Sequence, residues 1–274
     1  MFNRDKYIWS RLREHYAEAI KTEHEVFCVV LQGSQNYNLD INNSIYQSDV
    51  DTKAILLPSF DDFCKGKSPM STTHIRENNE HIDLKDIRVM FETFRKQNVN
   101  FVEILFSKYY IVPDKYAHFW EQLRGLGEEL THCHPSQTLK TMAGLSYEKR
   151  KALCHPYPTI KDKIDKYGYD GKQLHHIIRI NEFIKQYISG TSFADCLTAR
   201  SDATLSRLID AKLNNFSLKY AIELADALDA ENCAMKDKFI AENGTACNPS
   251  AYEKLDDIKV EILRTWFKEQ LEDK

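Results

Sequence analysis

The sequence contains no run approaching the ~20 consecutive apolar residues that a membrane span requires. Its opening, MFNRDKYIWSRLREHY, is charged throughout instead of carrying an apolar signal core. Those absences predict a cytoplasmic protein with no membrane partner. A disulfide framework is missing too. The seven cysteines (Cys28, Cys64, Cys133, Cys154, Cys196, Cys233 and Cys247) are odd in number and irregularly spaced, so they read as reduced thiols. Nor is there a global positive charge: the formal net charge of −4 excludes general attraction to nucleic acid and leaves only local patches for that purpose. Internal repeats and low-complexity tracts are absent as well. With 42% hydrophobic and 28% charged residues among 274, the composition is that of a folded globular chain, long enough for a catalytic unit and a smaller second one.

Residues 4 to 22 place Tyr7, Ile8, Leu12, Tyr16, Ala19 and Ile20 at the three-and-four spacing of an amphipathic helix. Val26 to Leu31 is then a short apolar run that ends near Gly33 and predicts a strand buried on both faces. The polar stretch 40 to 48 reads as a surface loop, and 50 to 57 as a second strand stopped by Pro58. Glu80 to Leu84 suggests a third strand leading into a helix over 85 to 97, and 100 to 112 a further helix and strand. From Pro113 onward the pattern is helical, over 114 to 128, 136 to 153, 171 to 189, 201 to 212, 217 to 239 and 250 to 271. The periodicity breaks at 129 to 136. An α+β chain is expected, with a small mixed sheet and flanking helices over 1 to 130 and an all-helical domain over 131 to 274.

Chemistry concentrates where the two strands meet. Gly33-Ser34 follows the first strand, and after fourteen intervening residues Asp49-Val50-Asp51 opens the second. A glycine lets the backbone turn sharply and approach a ligand closely, the N–H groups opening the turn can bind phosphate oxygens, and Ser34 adds a hydroxyl donor. Side chains two apart on a strand share a face, so Asp49 and Asp51 project together and repel unless a cation lies between them. Magnesium suits such a pair, because it favours oxygen ligands and lets substrate phosphates complete its shell.

The stretch LQGSQNYNL…QSDVDTKAI resembles the signature of the DNA polymerase β-type nucleotidyltransferases. The resemblance implies a palm fold, a triphosphate held by Gly33 and Ser34, and Mg2+ (or Mn2+) bound by Asp49 and Asp51. It also implies a third carboxylate on a later strand, which ligates the metal beside the acceptor and helps remove its proton; Asp83 is the choice and Glu80 and Asp86 are rivals. Asp86 reads as a helix N-terminal residue and Glu80 as a loop residue. LKDIRVMFETFRKQNVNFVEILFS and GKQLHHIIRINEFIKQYISG are similar to segments of a largely uncharacterised bacterial and phage branch of these enzymes. Within the first, Glu103 sits among apolar residues and reads as a structural salt-bridge anchor.

In the second half, Lys172, His176 and Arg179 are spaced by four and three, which puts them on one helix face where they can meet a nucleotide's phosphates or simply be solvated. Lys149, Arg150 and Lys151 begin the best local basic run, which is either an ordinary solvated face or the surface through which an RNA or tRNA partner would be gripped. His132, Cys133 and His134 with Cys154-His155 carry zinc-ligand side chains, but their spacing matches no standard finger. The expected activity is transfer of a nucleoside monophosphate from an NTP such as ATP to an acceptor hydroxyl. An RNA 3′ end, a small molecule and a protein hydroxyl, as in toxins or antitoxins of the superfamily, are the acceptor classes. A non-catalytic nucleotide-binding module is the alternative.

Overall fold

A computed structural model describes residues 3–42, 47–198 and 201–272. The chain is α+β. Five strands, β1 (Glu25–Gln32), β2 (Asp51–Leu57), β3 (Ser71–Ile75), β4 (His81–Asp86) and β5 (Tyr110–Ile111), form one mixed sheet in the order β3-β4-β2-β1-β5. Strands β1 and β2 are antiparallel, β2 and β4 parallel, and the two edge strands antiparallel to their neighbours. Both central strands are buried along nearly their whole length, as their continuous apolar runs predict.

Helices cover the sheet because each presents one apolar stripe. Helix Arg4–Ala19, capped by the Asn3 side chain, lays Ile8, Leu12 and Ala19 against Val29, Leu31, Ala54, Leu56, Ile82 and Leu84. Each fully buried aliphatic side chain of this set contributes about 1.5–3 kcal/mol. Elsewhere Phe27 of β1 meets Tyr116 and Trp120 with ring centroids 5.5 and 6.3 Å apart. Asp86 caps helix Ile87–Arg95 through the Arg88 amide and pairs with the Arg88 guanidinium, as a helix-opening acid should.

Two expectations change. Strand β3 was not foreseen, since all five of its residues are exposed and polar or isolated, leaving no alternation to read. Glu80 stands in the loop before β4, as read, but it is not solvated: it is buried and meets Arg11, His15 and Arg76. Burial alone would raise its carboxyl, but hydrogen bonds from His15 and Arg11 hold it down at about 2.

The chain divides into two compact units, and not at a single boundary. The first comprises Met1–Asn36, Asn42–Cys133 and Asn248–Lys274, the second Tyr37–Ile41 and His134–Cys247. Helix Ser250–Glu272, expected with the helical domain, instead belongs to the sheet-bearing unit. Trp266 donates to the Pro58 carbonyl at 2.9 Å, Phe267 packs on Phe60 and Phe63, and Tyr252 donates to the Arg95 carbonyl at 3.0 Å. An amphipathic stripe shows that a helix will pack, not on what.

The second unit is helical, with main helices Pro135–Ala152, Gly171–Ile188, Asp202–Lys212 and Leu218–Asn243. Asp170 caps the second of these, and Gly171 is required there, because a Cβ at that position would lie 2.1 Å from the Ala211 carbonyl oxygen. No helix among the described residues is long and apolar enough to cross a membrane.

Candidate active site

The pairing of β1 with β2 brings the two halves of the sequence motif together. Gln32 is the register partner of Asp51, so the chain leaves β1 at Gly33 beside the residues that enter β2. Gly33 has φ +82°, and a Cβ there would meet nothing within 4 Å. The turn therefore needs glycine for its backbone, and its side-chain face is open to a ligand. Ser34 begins the tight turn Ser34–Tyr37, closed by the Asn36 amide donating to the Gly33 carbonyl at 2.9 Å.

Val50 is fully buried in the core beneath the first helix, and Asp51, which opens β2, lies on the opposite face and is partly exposed. Asp49 precedes the strand, is exposed, and is near enough to Tyr7 of the first helix for its charge to be felt there. Asp51 is oriented from the neighbouring strand, accepting a hydrogen bond from the His81 amide at 2.8 Å with the His81 ring 3.4 Å away. His81 was missed in the sequence because the contact crosses strands thirty residues apart.

Asp83 occupies the same face, in register with Lys53. The Lys53 ammonium is 2.8 Å from it and 3.9 Å from the centre of the Phe101 ring, and the Thr73 hydroxyl also donates to it. Burial raises Asp83, yet Lys53 and Thr73 outweigh it and leave the carboxyl below its ordinary range. Burial likewise lowers Lys53, partly offset by Asp83. Of the three acids weighed for this position, Asp83 alone shares the Asp51 face of the sheet. Glu80 and Asp86 are engaged as described above.

Glu103, read as a structural anchor, accepts a hydrogen bond from the Gly33 amide at 2.9 Å. Asp49 and Asp51 offer hard oxygen donors to a divalent cation. Among the described residues no group of three or more His, Cys, Asp or Glu side chains is placed to hold a metal ion, the zinc-type side chains near Cys133 and Cys154 included.

One similar solved structure is a nucleotidyltransferase-like protein from Exiguobacterium sibiricum 255-15. Identity is 16% over 96% of this chain and 91% of that one, with a TM-score of 0.32. No protein-family model and no curated protein matches the chain. The functional reading therefore rests on the chain's own side chains.

In the helical unit Lys172 is exposed, while His176 and Arg179 are half-buried on the same helix face. The Arg179 guanidinium lies 4.2 Å from the centre of the Tyr37 ring. Burial drives His176 well below the ordinary histidine range, reinforced by Arg179, Lys149 and Lys172. Lys149, from the preceding helix, is lowered by burial and by Lys172. The basic triple is dispersed: Arg150 pairs with Asp226 and Lys151 lies over Tyr147, because consecutive helical residues point ~100° apart.

Proposed function

We propose that the chain is a metal-dependent nucleotidyltransferase with a polymerase β-type palm, moving a nucleoside monophosphate from an NTP, ATP among them, to an acceptor hydroxyl. The observation that carries this reading is the Gln32–Asp51 pairing, which sets an open glycine turn beside the Asp51 carboxylate, with Asp49 two residues before it. Asp49 and Asp51 hold Mg2+ or Mn2+ in this reading, and Ser34 donates its hydroxyl to a phosphate oxygen. When bound, the metal supplies charge stabilisation at the oxygens that attack and leave. Asp83 faces the acceptor: ionised at neutral pH, it accepts a hydrogen bond from the attacking hydroxyl while remaining beside Lys53. His81 keeps Asp51 in orientation. In the helical unit, Lys172, His176 and Arg179 are proposed as phosphate contacts on the strength of their shared face, with Lys172 and Arg179 supplying charge and a neutral His176 a hydrogen bond.

The acceptor is an RNA end, a small molecule or a protein hydroxyl. Purified protein incubated with each labelled NTP, magnesium or manganese, and total RNA tests both levels of the proposal. Label on RNA or on protein assigns the acceptor class, and label on neither calls for the same incubation with small hydroxylated acceptors added, where a labelled small product assigns that class. No metal-dependent pyrophosphate release with any NTP, with Asp49→Ala indistinguishable from wild type, would overturn the reading.

A further inference from the structure

We propose that Glu103 is a positioning residue that presets the Gly33-Ser34 turn by holding its glycine amide from behind. Glu103 lies in the apolar segment Phe101 to Phe106, only 3% exposed and next to buried Val102, Ile104 and Leu105. A carboxylate in such a place is costly unless it is hydrogen-bonded, and an apolar side chain would pack there at no such cost. Its Oε1 accepts from the Gly33 amide, seventy positions earlier, at 2.9 Å. Bonds in which the acceptor is ionised are roughly twice as strong as neutral ones.

The same segment braces the turn on both sides. Beyond Glu103, the Ser107 hydroxyl donates to Asn36 Oδ1 at 2.8 Å, and Asn36 Nδ2 donates in turn to the Leu31 carbonyl at 2.7 Å. The Leu31 amide donates to the Tyr109 carbonyl at 3.0 Å. Leu31, Gly33 and Asn36 are thus each tied to residues 103–109 or to one another, and the left-handed conformation of Gly33 is set before any ligand arrives. The arrangement also commits the Gly33 amide to Glu103. Phosphate is then met by the Ser34 hydroxyl and by backbone N–H groups after Gly33, a narrower donor set than the motif alone suggests. Holding donors in their bound geometry in advance reduces the ordering cost of binding.

Two measurements test this, and only the second rests on the proposed nucleotide chemistry. In amide exchange followed by NMR, the wild-type Gly33 amide should be protected. Glu103→Ala should speed its exchange by roughly tenfold or more, as expected for loss of a charge-assisted bond, while core amides of β2 stay protected. Glu103→Gln, whose carbonyl can still accept, should restore most of the protection. In titrations with ATP and magnesium, Glu103→Ala should weaken binding by roughly tenfold and Glu103→Gln should recover most of that loss. Fast exchange at Gly33 in the wild type, or a Glu103→Ala protein that merely melts earlier with Gly33 protection and ATP affinity unchanged, would overturn the proposal. Absence of ATP binding by the wild type would instead strike the functional reading, and the exchange data would still decide the role of Glu103. Should Glu103→Ala fail to fold, Glu103→Asp, one methylene short of the amide, is expected to show the same loss.

Discussion

In the sheet-bearing unit the buried charges described above meet opposite ones: Arg11 and Arg76 surround Glu80, and Lys53 faces Asp83. In the helical unit like charges gather instead, with Lys149, Lys172 and Arg179 all disfavouring a proton on His176. The first arrangement holds a fold together by pairing. The second gathers positive charge at some cost to each proton it disfavours, eased at Lys149 by Glu148 and Asp170. In the proposed reading the sheet-bearing unit has a like-charge pair of its own, Asp49 and Asp51, which a cation would bridge.

The sharpest way to break this contrast is to remove one carboxylate of that pair. Asp49→Ala or Asp51→Ala should cost several kcal/mol of transition-state stabilisation, lowering transfer by roughly a thousandfold. Because Asp49 is exposed, the melting temperature of Asp49→Ala should hold or rise as repulsion is relieved, whereas Asp51→Ala also loses the bond from the His81 amide and should gain less. Full activity at saturating magnesium in either variant would mean that the pair has no catalytic part.

Acid should distinguish the two units next. In the helical unit His175, buried with its Nδ1–H donating to the Leu208 carbonyl, is lowered from 6.5 to about 3, chiefly by burial. A histidine kept neutral in the fold stabilises it fully only above its unfolded value. That contribution shrinks as pH falls below about 6.5, by roughly 2 kcal/mol at about pH 5, and His176 adds in the same direction. In the sheet-bearing unit Glu80 is lowered from 4.5 to about 2, so its contribution, on the order of 3 kcal/mol, persists above 4.5 and is lost between there and about 2. Hydrogen exchange at pH 5 should therefore accelerate in Gly171–Ile188 while β1 and β2 remain protected. Simultaneous opening of both units would remove the contrast.

A smaller effect belongs to the turn. Ser34→Ala should weaken ATP binding by about 1.5–3 kcal/mol, the worth of one hydrogen bond to a charged group, while backbone donors remain. Unaltered affinity in an equilibrium titration would take the hydroxyl out of the phosphate grip. Least is expected of Lys149, Arg150 and Lys151 reversed together. Their divergence predicts that at most one or two of them meet a given RNA backbone, changing the slope of log affinity against log salt by roughly 0.7 to 0.9 per contact. A slope change near three contacts would show that the run acts as one surface after all.

What could be read from the sequence was local. Gly33, Ser34, Asp49 and Asp51 are recognisable because they stand at the ends of two strands whose apolar runs are unmistakable, although β2 begins only at Asp51. Relations across the fold were hidden. The Glu103–Gly33 bond spans seventy residues, and its one trace was a charge inside an apolar run. His81 meets Asp51 only because β4 lies parallel to β2, a pairing that no pattern in either strand specifies. Strand β3 lacks an apolar face, so its place is set by hydrogen bonds to β4 alone. Sequence adjacency also misled: three neighbouring basic residues in one helix turn look like a patch in the sequence and are three directions in space.

The return of helix Ser250–Glu272 to the sheet-bearing unit bears on how the chain is made. The Asn248 amide donates to the Cys133 carbonyl at 2.7 Å, so the chain departs for the second unit and comes back at adjacent points. Residues 134–247 are thus an insertion whose two ends already meet. During synthesis they emerge whole before the helix that finishes the first unit, while Phe60, Phe63 and the Pro58 carbonyl wait for their partners. The sheet-bearing unit, first to leave the ribosome, is then the last to be completed, and its unfinished apolar surface is the nascent chain's point of greatest exposure to misassociation.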